Sequence, residues 1–194
     1  MRSGDGYINM FAEQYLLPDM KEQIRLAWQG EGYIQLDHVL DVQTYLKLGK
    51  LAWGKGKQVE RADRFSYGLV SPSALHKAFS TEPFTSWVGS LLGGNVKKSD
   101  VKVMQYGWKD FTLLHDSDNM EGVATFFFIF AGIWDPSWGG TLHLHREKHP
   151  ALEVGLKGNR LFLVRSRDDW RPFIQYVNHL AGKETFVIVQ GTVS

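Results

Sequence analysis

The chain has 194 residues, 43% of them hydrophobic, and its 22 basic and 21 acidic side chains give a formal net charge of +1. A chain of this length can bury one substantial core, so we expect residues 1–194 to form a single domain. The balanced charge, without a basic run in either half, excludes a nucleic-acid or membrane surface as the main partner. The chain contains no cysteine, which excludes disulfides and thiolate chemistry and favours a reducing, cytoplasmic compartment.

The N-terminal half is predicted to be mainly helical. Residues 1–10 form a flexible tail, and the apolar spacing predicts helices over residues 11–28 (interrupted near Pro18), 42–51, 73–79 and 81–92. Asp41 is expected to cap the second helix, and a short strand is predicted over residues 33–36. Residues 54–64 are polar and without period, which predicts a loop, with a lid over a site as the alternative.

The C-terminal half reads as strands separated by glycine-rich turns. Strands are predicted near residues 101–107, 111–115, 123–131, 141–146, 151–156, 160–165, 172–179 and 184–190. Eight short strands without a helical pattern fit a double-sheet jelly roll of the cupin type. The expected fold class is therefore mainly β with N-terminal helices (α+β): a jelly-roll core over residues 101–191, with residues 11–100 as helical support and cover.

A histidine among acids stands where the second of these strands ends. His115 is followed by Asp116 and Asp118, and then by a strand that is apolar at nearly every position. At the mouth of a barrel these side chains are suitable ligands for a hard divalent metal. Asp, Ser and Asn are equally typical of a surface turn, and spacing alone slightly favours the turn.

Several further motifs follow one another in a characteristic order. They are Tyr106, His115, the aromatic strand at residues 125–130, the Trp-containing corner at residues 134–138, the run Gly139-Gly140-Thr141-Leu142-His143-Leu144 and the strand that begins at Asn159. This order resembles the core of the iron(II)/2-oxoglutarate-dependent dioxygenases, in particular the prolyl-4-hydroxylase-like branch. The resemblance spans roughly residues 33–191 and implies a double-stranded β-helix barrel, with Fe(II) and 2-oxoglutarate as the family's cofactors.

The resemblance also implies a degenerate iron site. In a gap-free comparison, the family's metal-binding Asp falls on Ser117 and its second His falls on Pro172, so that only His115 keeps its place. Ser117 is a poor neutral ligand and Pro172 has no donor atom, whereas a facial triad needs two histidines and a carboxylate. Asp116 or Asp118 beside His115 would rebuild only part of such a site. The family's 2-oxoglutarate-binding Arg or Lys is best matched by Lys183.

The barrel that the resemblance implies is a suitable small-molecule pocket, with apolar walls and a few polar groups. The residues predicted to line it are Tyr106, Thr125, Phe127, Ile129, Leu142 and Leu144, with His115, Asp116, Asp118 and Trp170 at its mouth. His115 is the candidate general acid or base, with Asp116 or Asp118 as the neighbouring carboxylate. Lys183 either holds a substrate anion deep in the barrel or is only a turn residue.

The other histidines are assigned no site. Alternation places His143 and His145 on one face of their strand, and the resemblance turns the adjacent leucines into the barrel and the histidines outward. His179 is expected on the strand over residues 172–179, too far along it to join His115 in a metal site.

Three hypotheses of function remain, and the first is preferred. In the first, a repurposed barrel binds a small apolar molecule and catalyses a metal-independent cyclisation or isomerisation without a cofactor. In the second, an unconventional dioxygenase uses Fe(II) and 2-oxoglutarate to hydroxylate a small molecule or a prolyl residue. In the third, the fold is retained only for binding.

Overall fold

A computed structural model describes residues 10–54, 56–61, 64–71, 73–96, 99–114, 122–166 and 169–194. The helices are α1 (Pro18–Glu31), α2 (Val42–Ala52), α3 (Ser73–Ser80) and α4 (Glu82–Leu92). The strands are β1 (Tyr33–Asp37), β2 (Lys57–Arg61), β3 (Phe65–Leu69), β4 (Ser99–Tyr106), β5 (Phe111–Thr112), β6 (Ala124–Phe130), β7 (Leu142–His145), β8 (Leu152–Val154), β9 (Arg160–Arg165), β10 (Arg171–Ile174) and β11 (Phe186–Val193).

The strands form two antiparallel sheets. The larger sheet has the order β1-β9-β6-β11-β4-β3-β2, with β5 paired to β3, and the smaller sheet has the order β10-β7-β8. One cluster of buried apolar side chains contains inner-face residues of both sheets, so the sheets enclose a common interior. The predicted mainly β fold class, a double-stranded β-helix with N-terminal helices, is confirmed.

Strand β6 divides the core into two parts. All seven of its residues are buried, as a nearly continuous apolar run predicts for a strand covered on both faces. Because successive side chains alternate between faces, Phe126, Phe128 and Phe130 point toward the helices, whereas Phe127 and Ile129 point between the two sheets. The outer face therefore stabilises the helical cover, and the inner face is left to shape the barrel.

The helices pack on the outer face of the larger sheet through aromatic side chains. Phe79 of α3 lies 5.0 Å from Phe128 between ring centroids, and Phe84 of α4 lies 4.9 Å from Phe126. Pro18 opens α1, and the Asp41 carboxylate accepts hydrogen bonds from two backbone N–H groups at the start of α2, as the sequence predicts. Within the described ranges, no helix is long and apolar enough to cross a membrane.

Two parts of the sequence prediction are wrong. Residues 57–61, within the predicted loop, form the edge strand β2, whose side chains are mostly exposed, so no alternation of buried residues marks it. The strand predicted over residues 172–179 ends at Ile174, and the exposed His179 instead opens a short 3-10 helix. Asn178 caps this short helix, because its side chain accepts a hydrogen bond from the backbone N–H of Leu180.

A glycine fixes how closely β11 and β6 approach. Gly191 lies directly opposite Phe126 in the pairing of the two strands. A Cβ atom on Gly191 would lie 2.5 Å from Cε1 of Phe126 and 2.6 Å from the carbonyl oxygen of Asp100. The ring of Phe126 therefore fits at this position only because residue 191 has no side chain.

Candidate functional site

A cavity of about 260 Å³ lies between the two sheets. Its wall includes residues of β3, β4, β5, β6 and β11 from the larger sheet and of β7 and β10 from the smaller one. Three of the residues predicted to face the barrel interior, Tyr106, Phe127 and Leu142, line it. A cavity of about 150 Å³ is enough to hold benzene, so this one can accommodate a substituted one- or two-ring molecule.

Tyr106 lies at one end of the cavity, and aromatic side chains close this end. Its ring stacks on that of Phe186, with the two ring centroids 5.2 Å apart. The Phe186 ring centroid in turn lies 4.9 Å from that of Trp134, in the predicted Trp corner. The Tyr106 hydroxyl donates to the Met104 sulfur at 3.4 Å, and a thioether is a weak acceptor. This hydroxyl can therefore turn to a better acceptor on a ligand at little cost.

The side chain of Tyr106 remains protonated at physiological pH. Burial, followed by the nearby Tyr67 and Asp110, raises the pKa of Tyr106 well above its ordinary value of 10. The residue is 1% exposed. Tyr106 can therefore act as a hydrogen-bond donor in the cavity and not as a base.

Pro172 also lines the cavity, at the position where the resemblance expects the second iron-binding histidine. It is buried on β10, opposite Leu144 of β7, and its side chain carries no donor atom. Across the described residues, no group of three or more His, Cys, Asp or Glu side chains could hold a metal ion. Pro172 therefore provides no metal ligand at the position where a facial triad requires its second histidine.

The predicted catalytic residues His115, Asp116 and Asp118, together with Ser117, lie outside the described residues, so their roles stay predictions. Among the described residues of this segment, Thr112 and Leu113 line the cavity. The Thr112 hydroxyl oxygen accepts a hydrogen bond of 2.7 Å from the backbone N–H of Ile174, which joins β5 to β10.

Three other predicted wall residues, Ile129, Thr125 and Leu144, face the barrel without lining the cavity. Ile129 is fully buried in the cluster between the sheets. Thr125 is fully buried on the same face of β6, and its hydroxyl lies 3.1 Å from that of Ser166. All three residues are buried and contribute to the packing of the barrel, but none contacts the cavity.

Trp170 and Lys183 are not among the residues that line the cavity. Trp170 is 5% exposed and packs in the inner cluster, with the Arg146 guanidinium 4.7 Å from the centroid of its ring. Lys183 is exposed in the turn before β11 and is not among the residues that line the cavity. Of the two sequence-based interpretations of Lys183, this position agrees with the turn residue and not with an anion-binding residue deep in the barrel, because β11 begins only at Phe186.

The predicted orientation of β7 is confirmed. Leu142 and Leu144 are buried between the sheets, whereas His143 and His145 are only partly buried on the other face. His143 stacks on Phe173 with ring centroids 4.8 Å apart, and its Nδ1 lies 3.8 Å from a Glu153 carboxylate oxygen. His143 therefore has a packing role on the outside of the smaller sheet.

Sequence reasoning missed the polar residues Lys102 and Gln190, which line the cavity, and the buried Asp110 near Tyr106. Lys102 lines the cavity from β4, two residues before Met104 on the same face. Asp110 is 9% exposed in the β4–β5 turn, where one carboxylate oxygen accepts from Gln58 and Ser66 and the other from the backbone N–H of Gly107. Alternation from Tyr106 could have found Lys102, whereas Gln58 lay in a predicted loop and gave no signal for Asp110.

Together, the two-sheet barrel, the helices on its larger sheet and the cavity between the sheets define the fold of the 2-oxoglutarate-dependent oxygenases in its prolyl-hydroxylase-like form. No protein-family model matches the chain, and no curated protein is similar to it in sequence. The comparison with solved structures therefore carries the assignment of the fold.

Solved structures of this fold match nearly the whole chain. A prolyl-4-hydroxylase from Pseudomonas putida superposes with a TM-score of 0.66 at 12% sequence identity, covering 90% of this chain and 98% of its own. A 2OG-Fe(II) oxygenase family oxidoreductase from Burkholderia pseudomallei gives 0.65 at 10% identity, covering 99% and 93%. SnoK, a non-heme alpha ketoglutarate dependent carbocyclase from nogalamycin biosynthesis, gives 0.53 at 10% identity, covering 88% and 83%. At these identities the likeness shows the fold and leaves the chemistry to the site.

Proposed function

We propose that the protein binds a small, mainly apolar molecule in the barrel cavity and promotes a metal-independent rearrangement of it, a cyclisation or an isomerisation. One observation carries the proposal: the cavity wall is aromatic and aliphatic, and Pro172 occupies it where the family's second iron-binding histidine is expected. Both reactions are redox-neutral, so neither needs the oxidant that an iron centre supplies. SnoK supports the idea that this fold accommodates ring formation, although that protein is alpha ketoglutarate dependent.

The cavity supplies two means of promoting such a step. Its rigid walls restrict a flexible ligand to a few conformers, which removes part of the entropic barrier to ring closure. Tyr106, protonated and bonded only weakly to Met104, donates a hydrogen bond to a ligand oxygen that gains negative charge during the reaction. His115, with Asp116 or Asp118, is the proposed general acid or base that moves the proton.

The alternative is an active Fe(II)/2-oxoglutarate dioxygenase in which Asp116 or Asp118 completes the site with His115. Anaerobic calorimetry with Fe(II), with and without 2-oxoglutarate, separates the two. We expect no micromolar binding of either by the wild-type protein. The double variant Ser117→Asp/Pro172→His restores both missing ligand types and is the control that must gain iron affinity. Micromolar binding of both ligands by the wild type, lost in His115→Ala, would replace the proposal with the dioxygenase.

Ligand binding in the cavity is tested with a neutral aromatic ketone, 2-acetonaphthone. We expect it to bind the wild-type protein and to be excluded by Ile188→Trp, which places a larger side chain in the cavity wall. An exposed apolar residue of the β6–β7 loop, Ile133, provides the matched control, because Ile133→Trp leaves the cavity unchanged. Equal binding to both variants would show that the ketone lies elsewhere and would remove the support for a cavity ligand.

A further inference from the structure

We infer that the cavity ligand carries a carboxylate, or another group with a single negative charge, and that Lys102 binds this group with Gln190 beside it. The inference rests on the proposed function, because it takes the cavity to be the ligand site. It assigns the anion to β4, at the opposite end of the cavity from Tyr106, and not to Lys183.

The pairing of β4 with β11 places the two side chains together. Lys102 and Gln190 are directly opposite residues of these antiparallel strands, and both line the cavity. Side chains of such a pair project from the same face, with Cβ atoms roughly 4.5–5.5 Å apart. A carboxylate between them can accept from the Lys102 ammonium and from the Gln190 amide NH₂ at once.

The charge of the wall favours an anion. Of the described residues that line the cavity, Lys102 alone has an ionised side chain, and the polar groups around it are hydroxyls and one amide. Its ammonium lies 5.0 Å from the centroid of the Tyr67 ring, which holds it against the wall. An ammonium has three N–H donors, so it can bind a ligand while it keeps its other neighbours. The attraction is stronger here than in bulk water because side chains of the wall, such as Met104 and Ile188, replace part of the surrounding water.

The distance along β4 defines the shape of the ligand. Lys102 and Tyr106 are four residues apart on one face, a separation of about 13 Å between their Cα atoms at roughly 3.3 Å per residue. Met104 and, across the strand pair, Ile188 provide an apolar surface between them. The ligand class that fits is a one- or two-ring apolar acid, with its carboxylate at Lys102 and a hydrogen-bond acceptor toward Tyr106.

The test compares 2-naphthoate with its neutral counterpart 2-acetonaphthone by calorimetry. We expect the wild-type protein to bind the naphthoate about ten-fold or more tightly than the ketone, which is the size of a charge-assisted hydrogen bond. Lys102→Met should remove this preference while leaving ketone binding nearly unchanged. Lys109→Met is the matched control, because Lys109 also lies over an aromatic ring, that of Trp108, but is exposed and does not line the cavity.

Measurements on the wild type cover the case in which Lys102→Met does not fold. Raising the salt concentration should weaken naphthoate binding and leave ketone binding unchanged, because only the first involves a charge. Lys102→Arg, which keeps the cation, should retain the preference. Equal affinity of the wild type for the two probes, or a preference that persists in Lys102→Met, overturns this inference alone. Failure of both probes to bind the wild type overturns the proposed cavity ligand and this inference together.

Discussion

The Tyr106 hydroxyl should matter for the ligand and hardly at all for stability. Tyr106→Phe removes a buried hydroxyl whose hydrogen bond runs to the Met104 sulfur at 3.4 Å. Tyr15→Phe is the matched control: that residue is also buried, but its hydroxyl donates to the backbone carbonyl of Asp37 at 2.6 Å. The two variants delete the same atom next to a weak and a strong acceptor.

The expected magnitudes follow from this difference. Burying a hydroxyl without a strong partner costs about 1–3 kcal/mol. Removing the Tyr106 hydroxyl relieves this cost, which partly offsets the stability lost with the O–H···S contact and through the small void. We expect the free energy of unfolding of Tyr106→Phe to stay within about 0.5 kcal/mol of the wild type. Tyr15→Phe should lower it by about 1–2 kcal/mol, because the Asp37 carbonyl loses its donor.

Urea unfolding followed by tryptophan fluorescence measures both values, and 2-acetonaphthone calorimetry gives the effect on binding. Loss of one neutral hydrogen bond should weaken ketone binding to Tyr106→Phe by about two- to ten-fold and leave Tyr15→Phe unaffected. If Tyr106→Phe is destabilised as much as Tyr15→Phe, the hydroxyl has a structural role. If its ketone affinity equals that of the wild type, Tyr106 does not contact the ligand.

Two further predictions concern the edge of the larger sheet. Hydrogen bonding to Arg160, helped by Lys157, lowers the pKa of Asp37 from 3.8 to about 2, so its stabilisation is present above about pH 4 and is lost as the pH falls through about 2. Allowing for solvent screening, Asp37→Asn should therefore lower the free energy of unfolding by about 1–2 kcal/mol at pH 7 and by less than half of that near pH 2.5. Urea titrations at the two pH values measure this difference, and a difference that does not change with pH would contradict the prediction. The buried Asn159, at φ 61°, exchanges two 2.8 Å hydrogen bonds with the backbone of Leu40. Asn159→Gly, which removes both bonds, should lower the free energy of chemical unfolding by about 2–4 kcal/mol. Asn159→Ala should lower it by about 1 kcal/mol more, because alanine also has to adopt a left-handed backbone conformation. Equal losses for the two variants would show that the backbone conformation contributes nothing.

Much of the fold could be predicted because its strands differ in burial from their surroundings. The apolar run of β6 and the alternation in β7 predict both the strands and the faces that their side chains occupy. Strand β2 could not be found in this way, because an exposed edge strand is specified by backbone pairing to β3 and not by its own side chains. Missing β2 also hid Gln58, one of the residues that bind the Asp110 carboxylate.

The site could be predicted only in part. Tyr106, Phe127 and Leu142 line the cavity as expected, because each occupies an inward position on a recognisable strand. Lys102 was missed because a lysine in a strand ordinarily points to solvent, although alternation from Tyr106 places it on the inward face. Its pairing with Gln190 of β11, which brings two polar side chains together, is visible only in the structure. A cross-strand register of this kind depends on how distant segments align, which a single sequence does not display.

The glycine opposite Phe126 has a consequence for how this barrel can change its chemistry over evolution. Because β6 is apolar on both faces, sliding it by one residue would bury about as much apolar surface as before, so hydrophobicity does not specify its alignment. Gly191 does specify it, since its neighbours on β11, Gln190 and Thr192, carry side chains where the ring of Phe126 would have to fit. Gly191 and the Phe126 ring, which fix this alignment, lie on the face of the sheet toward the helices, whereas the ligand contacts lie on the opposite face. Substitutions inside the barrel can therefore accumulate, and create new ligand preferences, without disturbing the Gly191–Phe126 contact that aligns β6 with β11.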